Sequence, residues 1–174
     1  MPTFDTVRHV PYPPEAMLDL VADVERYPEF VPLCEAMKVM SQSVTSDGAR
    51  TVVARMSVGY GPLRESFTSK VTIARQLRRI DVSYLDGPFR SMQNRWLFLP
   101  TPTGCDVDFH ITYEFRSLPL QLLLGAMFER AFRKFAEAFE ARARKIYGPP
   151  LTENADTATD KSQVAPPPAL RPAR

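Results

Sequence analysis

The side chains that could do acid–base chemistry are few, and the sequence places them out of phase with its apolar positions. His9 and His110 are the two histidines of the chain, and they fall on separate predicted strands. His110 alternates with the apolar residues around it, so we expect it to point outward. The acidic residues of the predicted strands show the same phase: Asp81, Asp106, Asp108 and Glu114. Because general acid–base catalysis needs titratable groups within reach of a pocket, this pattern favours binding over catalysis.

Motifs for other chemistry are missing from the sequence. It contains no H-E-x-x-H, no G-x-S-x-G and no Gly-rich phosphate loop. Cys34 and Cys105 are the two cysteines. They are too few and too far apart for a disulfide framework or a thiolate metal site, so we expect two buried, reduced thiols. We therefore predict no catalytic residue, no metal ligand and no catalytic cofactor.

A segment rich in proline and aromatic residues, ERYPEFVPLCEAM, is the most informative part of the chain. Pro28 and Pro32 fix their own φ and push the preceding residues toward extended backbone, which predicts that Tyr27 and Phe30 sit on stiff, non-helical backbone. Rigid aromatic residues on irregular backbone often line a pocket. The alternative is that Tyr27, Phe30 and Val31 close one end of an ordinary core.

The elements that must position these residues begin with a strand at Thr3–Val10. Pro14 suits the first turn of a short helix, and Asp23 suits the cap of a second one that Pro28 limits. Apolar residues then recur with a period of two over residues 36–43, 51–58, 64–74, 79–85, 89–99 and 105–115. The separators SDG, YGP, LDGP and PTPTG are short, which predicts antiparallel hairpins.

A long helix is predicted at Leu118–Tyr147, because this range has a single glycine, no proline after its first turn, and Gly148 and Pro149 after its end. Its phenylalanines recur every three or four residues and indicate one buried face: Phe128, Phe132, Phe135 and Phe139. Its first part, residues 118–128, is apolar on nearly every side. We call the irregular segment around residues 30–32 the corner. The surplus of apolar surface on the helix predicts either burial under the corner or a cavity mouth that opens against a membrane.

The length and composition of the chain indicate one globular domain. It has 174 residues, 44% hydrophobic and 24% charged, with a net charge of +2. It has no export or import signal and no apolar run near the length of a bilayer span, so we expect a cytoplasmic protein, or one peripheral on the inner face of an energy-transducing membrane. Residues 148–174 lack hydrophobic periodicity and are predicted to form a disordered tail. A seven-stranded antiparallel sheet, two short helices after the first strand and a long C-terminal helix define an α+β fold.

Three sequence segments carry a resemblance to a known family: VADVERYPEFVPLCEAMKV, FTSKV and DGPFRSMQNRWLF. They resemble the coenzyme Q-binding protein family, in the polyketide-cyclase-like branch of the START superfamily. The match covers residues 4–147. It implies a helix-grip fold in which a curved sheet wraps the C-terminal helix, so that residues 1–147 form a START-like lipid-binding domain. Ubiquinone or a similar isoprenoid lipid is the implied ligand, and respiratory or quinone-biosynthesis enzymes are the implied partners.

Strand alternation and the corner together give the predicted ligand-binding residues. The faces that carry Phe67, Trp96 and Phe109 are taken as inward. Asn94 and Ser69 share those faces and could orient a polar head group, whereas Gln93 and Arg95 fall on the opposite face. The predicted ligand-binding residues are Tyr27, Phe30, Val31, Pro32, Phe67, Val71, Met92, Asn94, Trp96, Phe109, Tyr113, Leu124, Phe128 and Phe132.

Two other functions stay open at this point. The resemblance also extends to polyketide cyclases and aromatases, which are enzymes, and to ribosome-association toxins, proposed to block the joining of ribosomal subunits. The toxin function would make the ribosome a partner through exterior basic residues, for which the turn with Arg75, Arg78 and Arg79 is the candidate. We favour a lipid carrier that holds ubiquinone without changing it.

Overall fold

The computed structural model describes residues 1–149, and the elements in that range follow the predicted order. Apart from Gly148 and Pro149, the predicted disordered tail lies outside the described residues. The strands are β1 (Thr3–Val10), β2 (Cys34–Val44), β3 (Arg50–Tyr60), β4 (Leu63–Ala74), β5 (Arg79–Asp86), β6 (Phe89–Thr101) and β7 (Gly104–Phe115). The helices are α1 (Pro14–Ala22) and α2 (Leu118–Tyr147), with 3₁₀ turns at Val24–Glu29 and Arg75–Leu77.

The seven strands form one antiparallel sheet in the order β1-β7-β6-β5-β4-β3-β2. Neighbours in the chain are neighbours in the sheet except for β1, which pairs with β7 and so becomes one edge. Register shifts interrupt β2 at Cys34/Ala36 and at Val39/Ser41, a third lies between β4 and β5 at Thr68/Ser69, and a fourth lies in β6 at Phe89/Ser91. Such bulges increase local twist, which helps the sheet to curve around α2. These features confirm the α+β, helix-grip fold.

The antiparallel register brings several turns to one end of the sheet. The start of β2 at Cys34 pairs with Val58, close to the β3–β4 turn at 60–63. The β5–β6 turn at 86–89 and the end of β7, which pairs with Phe89, lie at the same end. Since α2 begins three residues after β7, its first turn starts there too. We call this the corner end.

Helix α2 is held at both ends. The Ser117 hydroxyl accepts a hydrogen bond from the Leu120 amide at 3.4 Å, and the Gly148 amide donates to the Arg144 carbonyl at 3.0 Å. The Tyr147 hydroxyl donates to the Ala16 carbonyl of α1 at 2.9 Å. The helix packs against α1, β1 and β7, so it covers one side of the sheet and leaves space above the other strands. None of the helices within residues 1–149 is long and apolar enough to cross a bilayer.

The corner differs from the prediction in one respect. Tyr27 and Pro28 lie inside the 3₁₀ turn Val24–Glu29, so Tyr27 is not on extended backbone. The turn is closed by the Tyr27 carbonyl, which accepts hydrogen bonds from the amides of both Phe30 and Val31, at 3.1 and 2.8 Å. The backbone irregularity falls later, at Leu33, whose φ of 67° is in the left-handed region that leucine seldom adopts.

Candidate ligand-binding cavity

A cavity lies between α2, the inner face of the sheet and the corner. Its empty space is about 960 Å³ when the part open to solvent is counted, and about 110 Å³ is available to the centre of a water-sized molecule. The wall is formed by α1, the 3₁₀ turn Val24–Glu29, the corner, strands β2 to β7 and helix α2. The enclosed space of about 110 Å³ is smaller than most small-molecule sites, which are about 300–1,000 Å³, so a larger ligand must displace side chains of the wall.

Most of the predicted ligand-binding residues lie on this wall. Eleven of the fourteen do so: Tyr27, Val31, Pro32, Phe67, Val71, Met92, Asn94, Trp96, Phe109, Phe128 and Phe132. Alternation explains the strand members, because Phe67 and Val71 share one face of β4, and Met92, Asn94 and Trp96 share one face of β6. Their contact with a ligand stays a prediction.

The other three predicted residues are not on the wall: Phe30, Tyr113 and Leu124. Phe30 packs edge-on against Phe139 at 5.1 Å and closes the corner from outside the cavity. Tyr113 is on the inward face of β7, but there the helix fills the space, and its ring lies 5.5 Å from that of Phe132. Leu124 is buried in the first part of α2.

Sequence reasoning missed a large part of the wall. Strand β3 supplies Ala54, Met56 and Val58, strand β5 supplies Ile80 and Val82, and Leu33 comes from the corner. The remaining members are Val21, Val24, Met37, Ser69, Ile111, Ala131, Phe135 and Phe139. Of these, Ser69 and Ile111 lie on faces predicted to be inward, and Phe135 and Phe139 belong to the predicted phenylalanine face of α2. Alternation in β3 was visible in the sequence, and applying it would have found that strand's contribution.

Aromatic rings close one end of the cavity. The Trp96 ring lies 4.4 Å from that of Phe109 and 5.2 Å from that of Phe139. Tyr27 meets Phe139 edge-on at 5.5 Å. These edge-on and tilted contacts are the favourable geometries for aromatic pairs, so this end is a rigid, packed floor.

Three methionines lie on the sheet side of the wall. Met37 and Met56 are cross-strand partners on β2 and β3, and Met92 is on β6. Methionine has three rotatable bonds and adapts to irregular shapes. A ligand larger than the present free space could therefore enter by displacing these side chains without moving strands.

Polar groups are scarce on the wall. Ser69 is buried on β4, and Asn94 on β6 has a buried Oδ1 with no hydrogen-bond partner among the described residues. Buried polar atoms are normally paired, so Asn94 is free to bond to a ligand. Tyr27 donates its hydroxyl proton to the Val21 carbonyl. Burial raises the pKa of Tyr27, so this hydroxyl stays neutral and already engaged.

No lining residue among those described is Asp, Glu, His, Lys or Arg. The histidines are on the outer surface, where His9 pairs with Asp106 at 3.0 Å and His110 with Asp5. Cys34 and Cys105 are buried free thiols off the wall, and burial raises the pKa of each to about 11. Within residues 1–149 no cluster of His, Cys, Asp or Glu is placed to hold a metal ion. The arrangement can hold an apolar molecule and hydrogen-bond one polar part of it.

A family of known proteins shares this arrangement. The family model described as polyketide cyclase / dehydrase and lipid transport matches residues 10–140, which is most of the chain. The chain belongs to this family. Among solved structures, the 18 kDa protein CC1736 from Caulobacter crescentus is 37% identical, with a TM-score of 0.71 over 86% of this chain and all of that one. The Zhui aromatase/cyclase from a Streptomyces species has a TM-score of 0.72 at 17% identity, over 83% of this chain and 95% of that one, which shows a shared fold.

Curated relatives in this family have different names. The ribosome association toxin RatA of Rickettsia prowazekii is 32% identical over 84% of this chain and 99% of its own length. The mitochondrial coenzyme Q-binding protein COQ10 homolog B of Xenopus laevis is 33% identical over 77% of this chain and 54% of its own length. The family is therefore established for this chain, and its relatives include proteins named for a lipid and proteins named for the ribosome.

Proposed function

We propose that this protein holds ubiquinone, or a similar isoprenoid lipid, in the cavity and carries it unchanged between membranes and respiratory or quinone-biosynthesis enzymes. The observation that carries the proposal is the wall itself, which is apolar apart from Ser69, Asn94 and the engaged hydroxyl of Tyr27. A quinone has the matching chemistry, because its head group has a few oxygen atoms and its tail is hydrocarbon.

The two polar positions are offset along the sheet, because Val82 of β5 pairs with Asn94 and with Val71, whereas Ser69 pairs with Tyr84. Asn94 and Ser69 are on β6 and β4, with β5 between them. A carbonyl oxygen of the ligand would accept from the Ser69 hydroxyl, whereas the unpaired Asn94 Oδ1 is an acceptor and would accept from a hydroxyl of the reduced quinol. The tail would then lie along the phenylalanines of α2 and the methionines of the sheet.

Affinity would come from burial of the tail, worth about 25 cal/mol per Å² of apolar surface removed from water. The tail is also removed from water when it lies in a bilayer, so its free energy of transfer between membrane and protein is close to zero. A carrier needs this balance, because it must release what it binds.

The scarcity of titratable groups on the described wall supports binding without conversion. A cyclase or aromatase would need an acid or base within reach of its substrate. Tyr27 is the one titratable side chain on the described wall, and its raised pKa keeps it neutral. We therefore propose a binding protein and expect no turnover of a bound quinone.

The test is organic extraction of detergent-free protein, with mass spectrometry of the extract for quinones, sterols and fatty acids. Phe128→Asp puts a charge on the wall, and Ala141→Asp puts the same charge on the exposed side of the same helix, far from its first turns. Trp96→Ala is a second wall variant without a charge. We expect quinone in the wild type and in Ala141→Asp, and much less in both wall variants. No lipid in the wild type, or equal lipid in all four proteins, would contradict the carrier function.

Ribosome association is the second candidate function, and the names of the RatA relatives favour it. The turn expected to contact the ribosome is largely neutralised, because Arg75, Arg78 and Arg79 each pair with a carboxylate. Three basic residues without an ion-pair partner among residues 1–149 lie instead on the outer face of the sheet. Lys38 and Arg55 are cross-strand partners on β2 and β3, and Lys70 follows on β4.

This second function has its own test in ribosome co-sedimentation at increasing salt. Phosphate contacts make binding steeply salt-dependent. Lys38→Glu with Arg55→Glu should abolish co-sedimentation, whereas Lys145→Glu on α2 is the control for a simple change of charge. Co-sedimentation that is unaffected by the double variant would exclude this face as the ribosome contact.

A further inference from the structure

The solvent side of the first part of α2 is made of leucines. Leu118, Leu122 and Leu123 are 69%, 76% and 58% exposed, and Ala126 is exposed beside them. No charged residue occurs in the helix before Glu129. Single exposed leucines are common, but three on adjacent turns form a continuous apolar surface that lacks a partner within residues 1–149. We call Leu118, Leu122 and Leu123 the leucine patch.

The patch lies at the corner end of the sheet, and other exposed apolar side chains lie at that end. Leu85 precedes the β5–β6 turn and Tyr60 begins the β3–β4 turn, and both are 53% exposed. The antiparallel register that brings these turns together also brings the start of β2, which follows Pro32 and Leu33 of the cavity wall. The apolar surface is therefore on the same end of the molecule as the corner side of the cavity.

The gap between α2 and the corner is closed at its far end. Arg142, in the last turns of α2, pairs with Glu29 at 2.5 Å and lies over the Phe30 ring. The first half of α2 makes no ion pair with the corner within residues 1–149. Any widening of the gap to admit a ligand is thus easiest beside the leucine patch.

Basic side chains flank the patch on both sides. Arg116 precedes it and Arg90 lies nearby on β6, with 61% and 67% of their side chains exposed. Their pairs with Asp86 and Glu114 are long, at 3.9 and 3.3 Å, and exposed pairs of this kind contribute little. Arg130 and Lys134 follow on α2, are exposed and make no ion pair within residues 1–149.

We propose that the leucine patch inserts into the surface of a bilayer that contains anionic phospholipids, with Arg116 and Arg130 at the level of the phosphates. An apolar helix face flanked by cations is the pattern of helices that lie in a membrane interface. The charges around the patch also favour a membrane over a second copy of this chain as its binding partner. Two copies of this chain that met through the patch by a two-fold axis would bring their own arginines together.

Membrane docking rests on the proposed carrier function for its purpose, since it would place the gap against the source of the lipid. Its physical basis, the patch and its charges, is independent of what the cavity holds. The two proposals can therefore fail separately.

Co-sedimentation with vesicles tests the docking surface. The vesicles are made of phosphatidylcholine alone or of phosphatidylcholine with phosphatidylglycerol, and they contain no quinone. Leu122→Glu places a charge in the patch. Leu77→Glu is its matched control, because Leu77 is 71% exposed and lies in the turn at the opposite end of the sheet.

We expect the wild type and Leu77→Glu to bind the anionic vesicles, and binding by Leu122→Glu to be weaker by about tenfold or more. Added salt and the removal of phosphatidylglycerol should weaken wild-type binding. The proposal is overturned if the wild type does not bind anionic vesicles or if both variants lose binding equally. A wild-type dimer that Leu122→Glu converts to a monomer would assign the patch to a second copy instead.

Lipid extraction from the same proteins separates the two proposals. Quinone in a wild-type protein that ignores vesicles would leave the carrier function intact and remove the docking surface. Vesicle binding by a protein that contains no lipid would do the reverse.

Discussion

The Arg142 guanidinium donates to the Glu29 carboxylate at 2.5 Å and lies 5.1 Å from the centre of the Phe30 ring. One side chain of the long helix thus fixes both the end of the 3₁₀ turn and the aromatic residue that follows it. Arg142 is well covered, with 14% of its side chain exposed, so its charge is less screened than that of a surface arginine. This contact determines where the corner sits relative to α2.

Removal of this contact should loosen the corner. We expect Arg142→Ala to lower the free energy of unfolding by about 1–2 kcal/mol, through loss of the ion pair, the cation–π contact and the packing of the side-chain stem. Arg133→Ala removes an exposed arginine that, within residues 1–149, pairs with Glu129 of the same helix alone, and it should cost less than about 0.5 kcal/mol. Urea unfolding of the three proteins measures both values. Equal losses would mean that the Glu29 contact has no special role.

Gly87, in the DGPF segment that carries the family resemblance, should not tolerate a side chain. Its φ is +140°, and a Cβ there would lie 2.6 Å from the Phe67 Cβ and 2.9 Å from the Phe67 Cα. Gly61 also has a positive φ, of +59°, but a Cβ there would meet nothing within 4 Å. We expect Gly87→Ala to destabilise by about 2–4 kcal/mol, and Gly61→Ala by about 1 kcal/mol. Thermal unfolding of both variants checks the difference, and similar melting temperatures would show that close approach to Phe67 is not the reason for glycine.

The sequence was sufficient for the elements because local signals agree at each step. Gly148 and Pro149 mark the end of α2, and short polar turns mark the hairpins, so the long helix and each strand were predicted within three residues of their observed bounds. Strand alternation also identified the inward faces of β4, β6 and β7. The outward positions of His110 and Asp81 follow from the same rule.

The site was harder to predict, because alternation assigns a face but no position along it. Tyr113 and Phe109 share the inward face of β7, yet Phe109 meets the cavity and Tyr113 meets the helix. That difference depends on where α2 crosses the sheet, which is a tertiary property. Leu33 was missed for another reason, since its left-handed backbone obeys no periodic pattern.

The two thiols should be slow to react in the folded protein. Burial raises the pKa of Cys34 and of Cys105 to about 11, and the thiolate is the reactive form. In the unfolded chain an ordinary thiol has a pKa of about 8.5. We expect alkylation by iodoacetamide at neutral pH to be at least about 100-fold slower in the native than in the unfolded protein, and to accelerate as the pH rises toward 11. Rapid native alkylation of either thiol at neutral pH would contradict its burial.

The same shift gives a pH dependence of stability with a definite sign. Because folding keeps a proton on each thiol, the folded state binds more protons than the unfolded state between the two pKa values. The stability is fully present below about pH 8.5 and is lost as the pH rises toward 11. Replacement of both cysteines by alanine should flatten the slope of the unfolding free energy between about pH 8.5 and 10. A slope that persists unchanged would assign it to other groups.

Filling the cavity from the helix side should remove the lipid without unfolding the protein. Ala131 is buried, and it lies on the wall between Phe128 and Phe135, next to the empty space. Ala131→Leu extends a side chain into that space, so it should cost little stability and can even add a few tenths of a kcal/mol through new apolar contacts. Ala126→Leu makes the same substitution on the exposed side of the helix. We expect extracted lipid to fall several-fold in Ala131→Leu and to match the wild type in Ala126→Leu, with near-equal unfolding free energies in all three proteins. Equal lipid content with intact stability would mean that the bound molecule lies elsewhere, because a ligand beside Phe128 and Phe132 cannot share its volume with a leucine at position 131.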